Sequence, residues 1–155
     1  MNMFESVSTV FRKYATFSGR APRSEFWWYQ LFYLIIVGVP LAFISETLDN
    51  LWSLLNFIPA LAVSCRRLHD IDKSGWWQLL PMVVLPLFML GFALRGFDLV
   101  DYTSGLFGSP IAWAGIVIGI GLYILLIVWF ARQGTPGPNR FGQDPFGRTD
   151  ASVFE

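Results

Sequence analysis

Phe26 to Ile44 is a run of 19 residues without a charged side chain. As a helix rising 1.5 Å per residue it is about 28 Å long, close to the ~30 Å hydrocarbon thickness of a bilayer. Two more runs of that kind follow, Trp76 to Leu94 and Ile111 to Phe130, and between them lies a shorter one, Leu51 to Ser64. The shorter run is about 21 Å long as a helix and must borrow Thr47 to Asn50, thin the bilayer or be re-entrant. With 54% hydrophobic and 14% charged residues in 155, the chain is too apolar for an ordinary soluble domain and too short for several domains. The expected fold is all-α: a polytopic membrane protein with four transmembrane helices at about 26–44, 48–64, 76–94 and 111–130. One domain over 1–147 and a flexible tail over 148–155 complete this organisation.

Before the first run, Met3, Phe4, Val7, Val10, Phe11 and Tyr14 recur at helical spacing. An N-terminal interfacial amphipathic helix is expected, lying in the bilayer plane or on the inner ends of the bundle. Gly19 breaks it, and Pro22 suits the first position of the next helix, with Glu25 complementing that helix's dipole. No short apolar core followed by a small-residue cleavage site is seen, so no removable signal peptide is expected. A single cysteine, Cys65, excludes an internal disulfide.

Charge is sorted along the chain. Lysine and arginine fall at Arg12, Lys13, Arg20 and Arg23 before the first run, at Arg66, Arg67 and Lys73 after the second, and at Arg132, Arg140 and Arg148 after the fourth; only Arg95 lies elsewhere. The positive-inside rule puts those three regions, and both termini, in the cytoplasm. Trp27, Trp28, Trp76, Trp77 and Trp129 mark the inner ends, Trp52 and Trp113 the outer ends, as aromatic rings at headgroup level should. Arg23-Ser-Glu-Phe-Trp-Trp28 echoes Lys73-Ser-Gly-Trp-Trp77, which suggests two parallel hairpins, although recurrence of such residues at every inner end explains the echo without a repeat.

Cys65 to Leu80 holds the only histidine, the only cysteine and the densest charge cluster, and reads as a short polar connection at the bilayer surface. His69 with Asp70 or Asp72 admits a metal or acid–base reading, but one histidine and two carboxylates lack the ligand count of a closed site. Neither metal nor cofactor is expected. Arg66 and Arg67 read instead as groups that cap carbonyls, meet Glu25 or Asp70, and bind lipid phosphates. Ser74 is a plausible N-cap for the third span. Within the spans, Gln30 and Asn56 are expected to hydrogen-bond between helices, and Pro40, Pro59, Pro81 and Pro86 to kink them. Gly115-Ile-Val-Ile-Gly119 fits either internal helix packing or a dimer contact. In the tail, Pro136-Gly137 fits the centre of a type II turn.

Three stretches, Phe17-Ser-Gly-Arg-Ala-Pro-Arg-Ser-Glu-Phe-Trp-Trp28, Arg66-Arg-Leu-His-Asp-Ile-Asp-Lys-Ser-Gly-Trp-Trp77 and Gly134-Thr-Pro-Gly-Pro-Asn-Arg-Phe-Gly142, carry a resemblance. On them the chain resembles the bacterial membrane-protein family called domain of unknown function 805. Asp72 stands where that pattern has glycine, and Gln143 where it has proline. The resemblance implies a small inner-membrane protein and brings no established reaction, substrate or cofactor.

All three stretches fall on the cytoplasmic side of the expected topology. They are expected to form one cap, the tail docking on the 65–75 connection with Arg20, Arg23, Arg66 and Arg67 facing Glu25, Asp70 and Asp144. Arg20, Arg23, Glu25, Arg66, Arg67, His69, Asp70, Asn139 and Arg140 are then the candidate surface for an anionic lipid headgroup or a membrane-protein partner, with a homo-oligomer as a further option. The near-neutral charge argues against nucleic acid. A binding or accessory role is the leading expectation and enzymatic activity is not expected. A small oligomeric transporter or channel is the alternative, and a lipid-headgroup enzyme using His69 and Asp70 the weaker one.

Overall fold

The computed structural model describes residues 1–38, 43–94 and 110–148. Pro40, Arg95 and residues 149–155 of the expected tail lie outside them. The fold is helical throughout the described residues, with one small antiparallel bridge between Asn139 and Gly142. Two compact units are present, Met1–Gly75 with Phe130–Glu155, and Trp76–Trp129.

The first unit starts with α1, Met3–Arg12. Asn2 caps it by accepting from the Glu5 amide at 2.9 Å, and Glu5 accepts in return from the Asn2 amide at 3.0 Å, so two orphan donors are satisfied reciprocally. Val10 is wholly buried with Ala21, Phe26, Tyr29 and Val63, and Val7 and Phe11 pack against that cluster. The apolar stripe of α1 is covered by the helices Arg23–Leu31 and Glu46–Asp70, so α1 packs on other helices, and only Phe4 of that set is strongly exposed, at 78%. The chain turns at Gly19, whose φ of 85° favours glycine, and Pro22 serves as the N-cap of α2, Arg23–Leu31. From Phe32 to Gly38 the same run continues as π-helix.

Helix α3, Glu46–Asp70, is 25 residues long, far longer than the apolar run inside it. Ser45 caps its start, Glu46 and Asp49 sit in its first turn, and Arg67 and His69 in its last, all in accord with the helix dipole. The charged stretch from Cys65 to Asp70, read as a connection, is therefore the final turns of a helix. Arg66, Arg67 and Leu68 are good helix formers, and nothing breaks the helix until Asp72, at φ 57°. There the Lys73 amide donates to Leu68 O at 2.9 Å and the Asp72 amide to His69 O at 3.0 Å, the paired bonds of a Schellman terminus. Aspartate takes the left-handed position where glycine is usual. Tyr29 meets Asn56 and Tyr33 meets Ser53, so α2 and its π-helical extension run antiparallel to α3.

A 3₁₀ turn, Gly75–Gln78, opens with the first unit's Gly75; in the second unit α4 spans Leu79–Leu94 and α5 then runs Pro110–Ala131, its last two residues belonging to the first unit. Ser74 immediately precedes the 3₁₀ turn that leads into α4. Trp77 and Trp129 meet edge to face at 5.3 Å. Gly115 and Gly119 are both buried within the single chain.

The expectation of four transmembrane helices is overturned. Among the described residues only two helices are long and apolar enough to cross a bilayer, Glu46–Asp70 and Trp113–Ala131. Helix α4 has 16 residues, about 24 Å, because Trp76 to Gln78 are taken up by the 3₁₀ turn. In the run from Phe26, α2 ends at Leu31 and π-helix follows from Phe32 to Gly38. The run judged too short is part of the longest helix among the described residues, since six residues, four of them polar or charged, extend it beyond Ser64.

Pro59 lies inside α3 and has no N–H to offer the carbonyl of Leu55. The Tyr14 hydroxyl donates to that carbonyl instead. Removing the hydroxyl in Tyr14→Phe should therefore cost about 1 kcal/mol, the usual net worth of such a bond. In a Pro59→Ala background, where residue 59 again supplies a donor, the cost should shrink toward zero. Unfolding midpoints of the four proteins in one detergent check this; an equal Tyr14→Phe cost in both backgrounds contradicts it.

Candidate functional site

The polar end of the first unit is built around the last turns of α3. Asp70 is buried, and both of its carboxylate oxygens meet arginines: Oδ1 accepts from Arg20 Nε at 3.0 Å and lies 2.9 Å from Arg20 Nη2, while Oδ2 accepts from Arg67 Nη1. Two cations face one anion. The remaining guanidinium donors go to backbone carbonyls, Arg20 to Gly137 O at 2.6 Å and Thr135 O at 2.5 Å, and Arg67 to Phe130 O at 3.0 Å and to Arg132 O. Arg23 donates to Ala131 O at 3.3 Å. Arginines from α2 and α3 thus satisfy carbonyls that the C-terminus of α5 leaves without helical partners.

The tail is held by the same residue. The Thr135 amide and hydroxyl both donate to Asp70 O, at 2.9 and 3.2 Å. Gly134 lies so close to the Asp70 carboxylate that a Cβ there would fall 2.1 Å from Oδ2. Asn139 donates to His69 O at 2.9 Å, and Phe141 stacks on the His69 ring with centroids 3.8 Å apart and planes 3° from parallel. His69 Nδ1 lies 3.1 Å from Gly19 O, and because a carbonyl only accepts, Nδ1 carries the proton. That leaves Nε2 as acceptor, 3.5 Å from Cys65 Sγ. Gly75 approaches the same sulfur so closely that a Cβ would lie 2.1 Å from it. At the rim, Arg140 pairs with Asp72 at 3.1 Å, with both side chains exposed.

Arg66 and Glu25 form a second buried pair, Nη1 to Oε1 at 3.0 Å. Their alignment is not that of a hydrogen bond: Nη1 and Nη2 of Arg66 and Oε1 of Glu25 are buried with no hydrogen-bond partner. Burial pushes the Glu25 carboxyl above its ordinary 4.5, against the pull of Arg66 and Lys13.

All nine residues of the expected cap thus lie at one end of this unit. Arg66 and Arg67 are 1% and 0% exposed, so they face inward and not toward lipid phosphates. Asp144 is not opposed to the cap arginines either, and pairs with Arg148 at 2.8 Å. Residues that sequence reading missed are Thr135, Gly134, Phe141, Gly19 and Cys65. For Gly134 and Gly75 the signal was a small residue within a motif, but its partner lies more than 60 residues away for one and ten for the other.

The family described as "Protein of unknown function (DUF805)" matches residues 14–143. The chain belongs to the DUF805 family. This DUF805 chain is similar to the inner membrane protein YhaI of Escherichia coli K12, 33% identical over 147 residues covering 88% of this chain and 92% of that one. It is similar also to the inner membrane protein YhaH of the same strain, 30% identical over 151 residues with the same shares covered. YiiR, an uncharacterized protein of that strain, is 25% identical over 134 residues, 83% of this chain and 85% of its own. No solved structure matches. The chain is an inner-membrane protein. The matched residues of the DUF805 family take in Arg20 through Phe141, hence every group around Asp70 described above.

The tail of this DUF805 protein ends its described part in a tight turn. Asp144 accepts from the Phe146 and Arg148 amides at 3.0 and 3.2 Å and from Arg148 Nε at 2.8 Å. The Arg148 side chain, with those amides, holds the Asp144 carboxyl down to about 2 from its ordinary 3.8. A lowered carboxyl stabilises its surroundings fully above 3.8, and that contribution is lost as pH falls toward 2. The Gly147 and Arg148 amide resonances should accordingly shift with a midpoint near 2, and Asp144→Asn should abolish the shift. A midpoint at the ordinary carboxyl value contradicts the pairing.

Proposed function

We propose that this inner-membrane protein is a binding or accessory component that presents a preassembled cap to anionic headgroups on the cytoplasmic face. The observation that carries the reading is the division of the basic residues of this unit into two sets. Arg20, Arg66 and Arg67 are buried and opposed by Asp70, Glu25 and carbonyl oxygens. Arg12, Lys13, Arg23, Arg132 and Arg140 are exposed on the same unit. The inner set fixes the shape and the outer set offers charge. Exposed Trp27, Trp28 and Phe17 sit on that unit too, and such rings favour the headgroup level.

In this reading both termini are cytoplasmic. The N-terminal stretch and the tail meet at one end through Arg20 and Thr135, and that end carries the basic residues that the positive-inside rule assigns to the cytoplasm. Each exposed basic side chain near an anionic surface contributes about 1 kcal/mol, so a triple replacement should reduce binding by roughly two orders of magnitude.

The test extracts full-length protein with its native bilayer and compares bound lipids by mass spectrometry. In Arg12→Gln, Lys13→Gln, Arg132→Gln, retained anionic lipid should fall strongly, while a triple replacement of exposed neutral residues should leave it unchanged. Equal retention of anionic lipid by all three proteins would remove the rim from the account.

A further inference from the structure

The antiparallel pair formed by α2, with its π-helical extension, and α3 carries polar side chains along one seam. Glu25, Tyr29 and Tyr33 follow one another at four-residue steps and so share a helix face. Each meets a polar partner on α3: Glu25 meets Arg66 at 3.0 Å, Tyr29 donates to Asn56 at 3.1 Å, and Tyr33 lies 3.1 Å from Ser53. Such pairs are costly in an apolar seam unless every donor and acceptor is satisfied. Several are not. Arg66 Nη1 and Nη2, Glu25 Oε1 and Trp52 Nε1 are buried without a hydrogen-bond partner, Arg66 at 1% exposure and Glu25 at 3%. The Asn56 carboxamide donates to Trp52 O at 2.9 Å and has a second N–H to offer, and the Tyr29 hydroxyl, its proton given to Asn56, retains lone pairs.

We propose that this seam is a water-binding site, a short file of bound water running from the Glu25–Arg66 pair past Tyr29 and Asn56 toward Trp52. The orphaned atoms select the ligand class. Arg66 needs an acceptor and Glu25 Oε1 a donor, a combination met by an uncharged group that does both. The pair is already neutral, which gives an ion no net charge to follow. Spacing selects size: four residues of helix rise about 6 Å, and one water between two polar groups at ~2.8 Å each spans nearly that distance. A water needs two to four polar partners, and Arg66 with Glu25 at one end and Asn56, Tyr29 and Trp52 at the other supply them. The π-helical turns begin at Phe32, between the second and third pairs, where the wider turn keeps Tyr33 facing Ser53. This inference is independent of the lipid-binding reading, since it concerns buried groups and not the exposed rim.

The test uses full-length protein in lipid nanodiscs with ¹⁵N-labelled asparagine, in which only Asn2, Asn50, Asn56 and Asn139 contribute. Loss of one signal in Asn56→Ser assigns the Asn56 side-chain amide. Magnetisation transfer from water to that amide is then measured. The expected result is direct transfer to Asn56, although it is only 2% exposed. In Glu25→Leu, Arg66→Leu, which removes the polar mouth while keeping a buried apolar pair, transfer should fall several-fold. A wild-type Asn56 amide with no transfer, protected in D₂O for hours, overturns the proposal. So does transfer that persists undiminished in a folded double variant, because water would then reach Asn56 by another route. If the double variant does not fold, the wild-type measurement decides by itself.

Discussion

The carboxylate of Asp70 between Arg20 and Arg67 is the contact on which the cap depends. A lone buried carboxylate or guanidinium would be strongly disfavoured, and a pair only roughly recovers its desolvation. Here a third charge is added, and two cations share one anion at exposures of 1% or less. What makes this tolerable is the supply of oriented carbonyl oxygens from Thr135, Gly137, Phe130 and Arg132. Those carbonyls belong to the tail and the end of α5. The arginines therefore require the tail, and the tail is positioned by the arginines, so the three chain segments are coupled through a single side chain.

That coupling accounts for features with little to do with one another in sequence. Helix α3 extends past its apolar run because its final turns carry the charges the hub uses. It stops at Asp72, where the Schellman bonds turn the chain away and the Asp72 carboxylate remains free to meet Arg140. Gly134 leaves room for the Asp70 carboxylate, and Gly75 leaves room for Cys65. His69, with one nitrogen on Gly19 O and its ring against Phe141, ties the turn after α1 to the tail. The helical seam below this end is organised differently, by neutral hydroxyl and amide pairs whose partners lie within hydrogen-bond reach across α2 and α3.

Much of this was legible in sequence at the level of motifs and little at the level of atoms. Charge sorting and the three motif stretches singled out the segments that meet around Asp70, since basic residues and small turn residues mark each of them. Two structural facts were hidden. Counting uncharged residues ended the second run at Ser64, but a charged side chain does not end a helix, and α3 continues through Arg66, Arg67 and His69 to Asp70. Counting also made Phe26–Ile44 and Trp76–Leu94 look like regular helices, although composition says nothing of the π turns after Leu31 or the 3₁₀ turn at Gly75. The inward direction of Arg66 and Arg67 could not be read either, because their acceptors are mostly backbone carbonyls, which have no sequence signature. The same holds for Tyr14 and the Leu55 carbonyl that Pro59 leaves without a helical donor.

The central claim is that Asp70 holds the 17–25 stretch and the tail at once. Hydrogen exchange of full-length protein, compared with Asp70→Asn and read by mass spectrometry, tests it most directly. Asparagine keeps the shape and removes the charge, leaving two buried cations without their anion at a cost of about 3 kcal/mol. The account predicts exchange faster by roughly two orders of magnitude in residues 17–25 and 132–148 together, with the middle of α3 little changed. Acceleration confined to one of those segments, or absent from both, would contradict it.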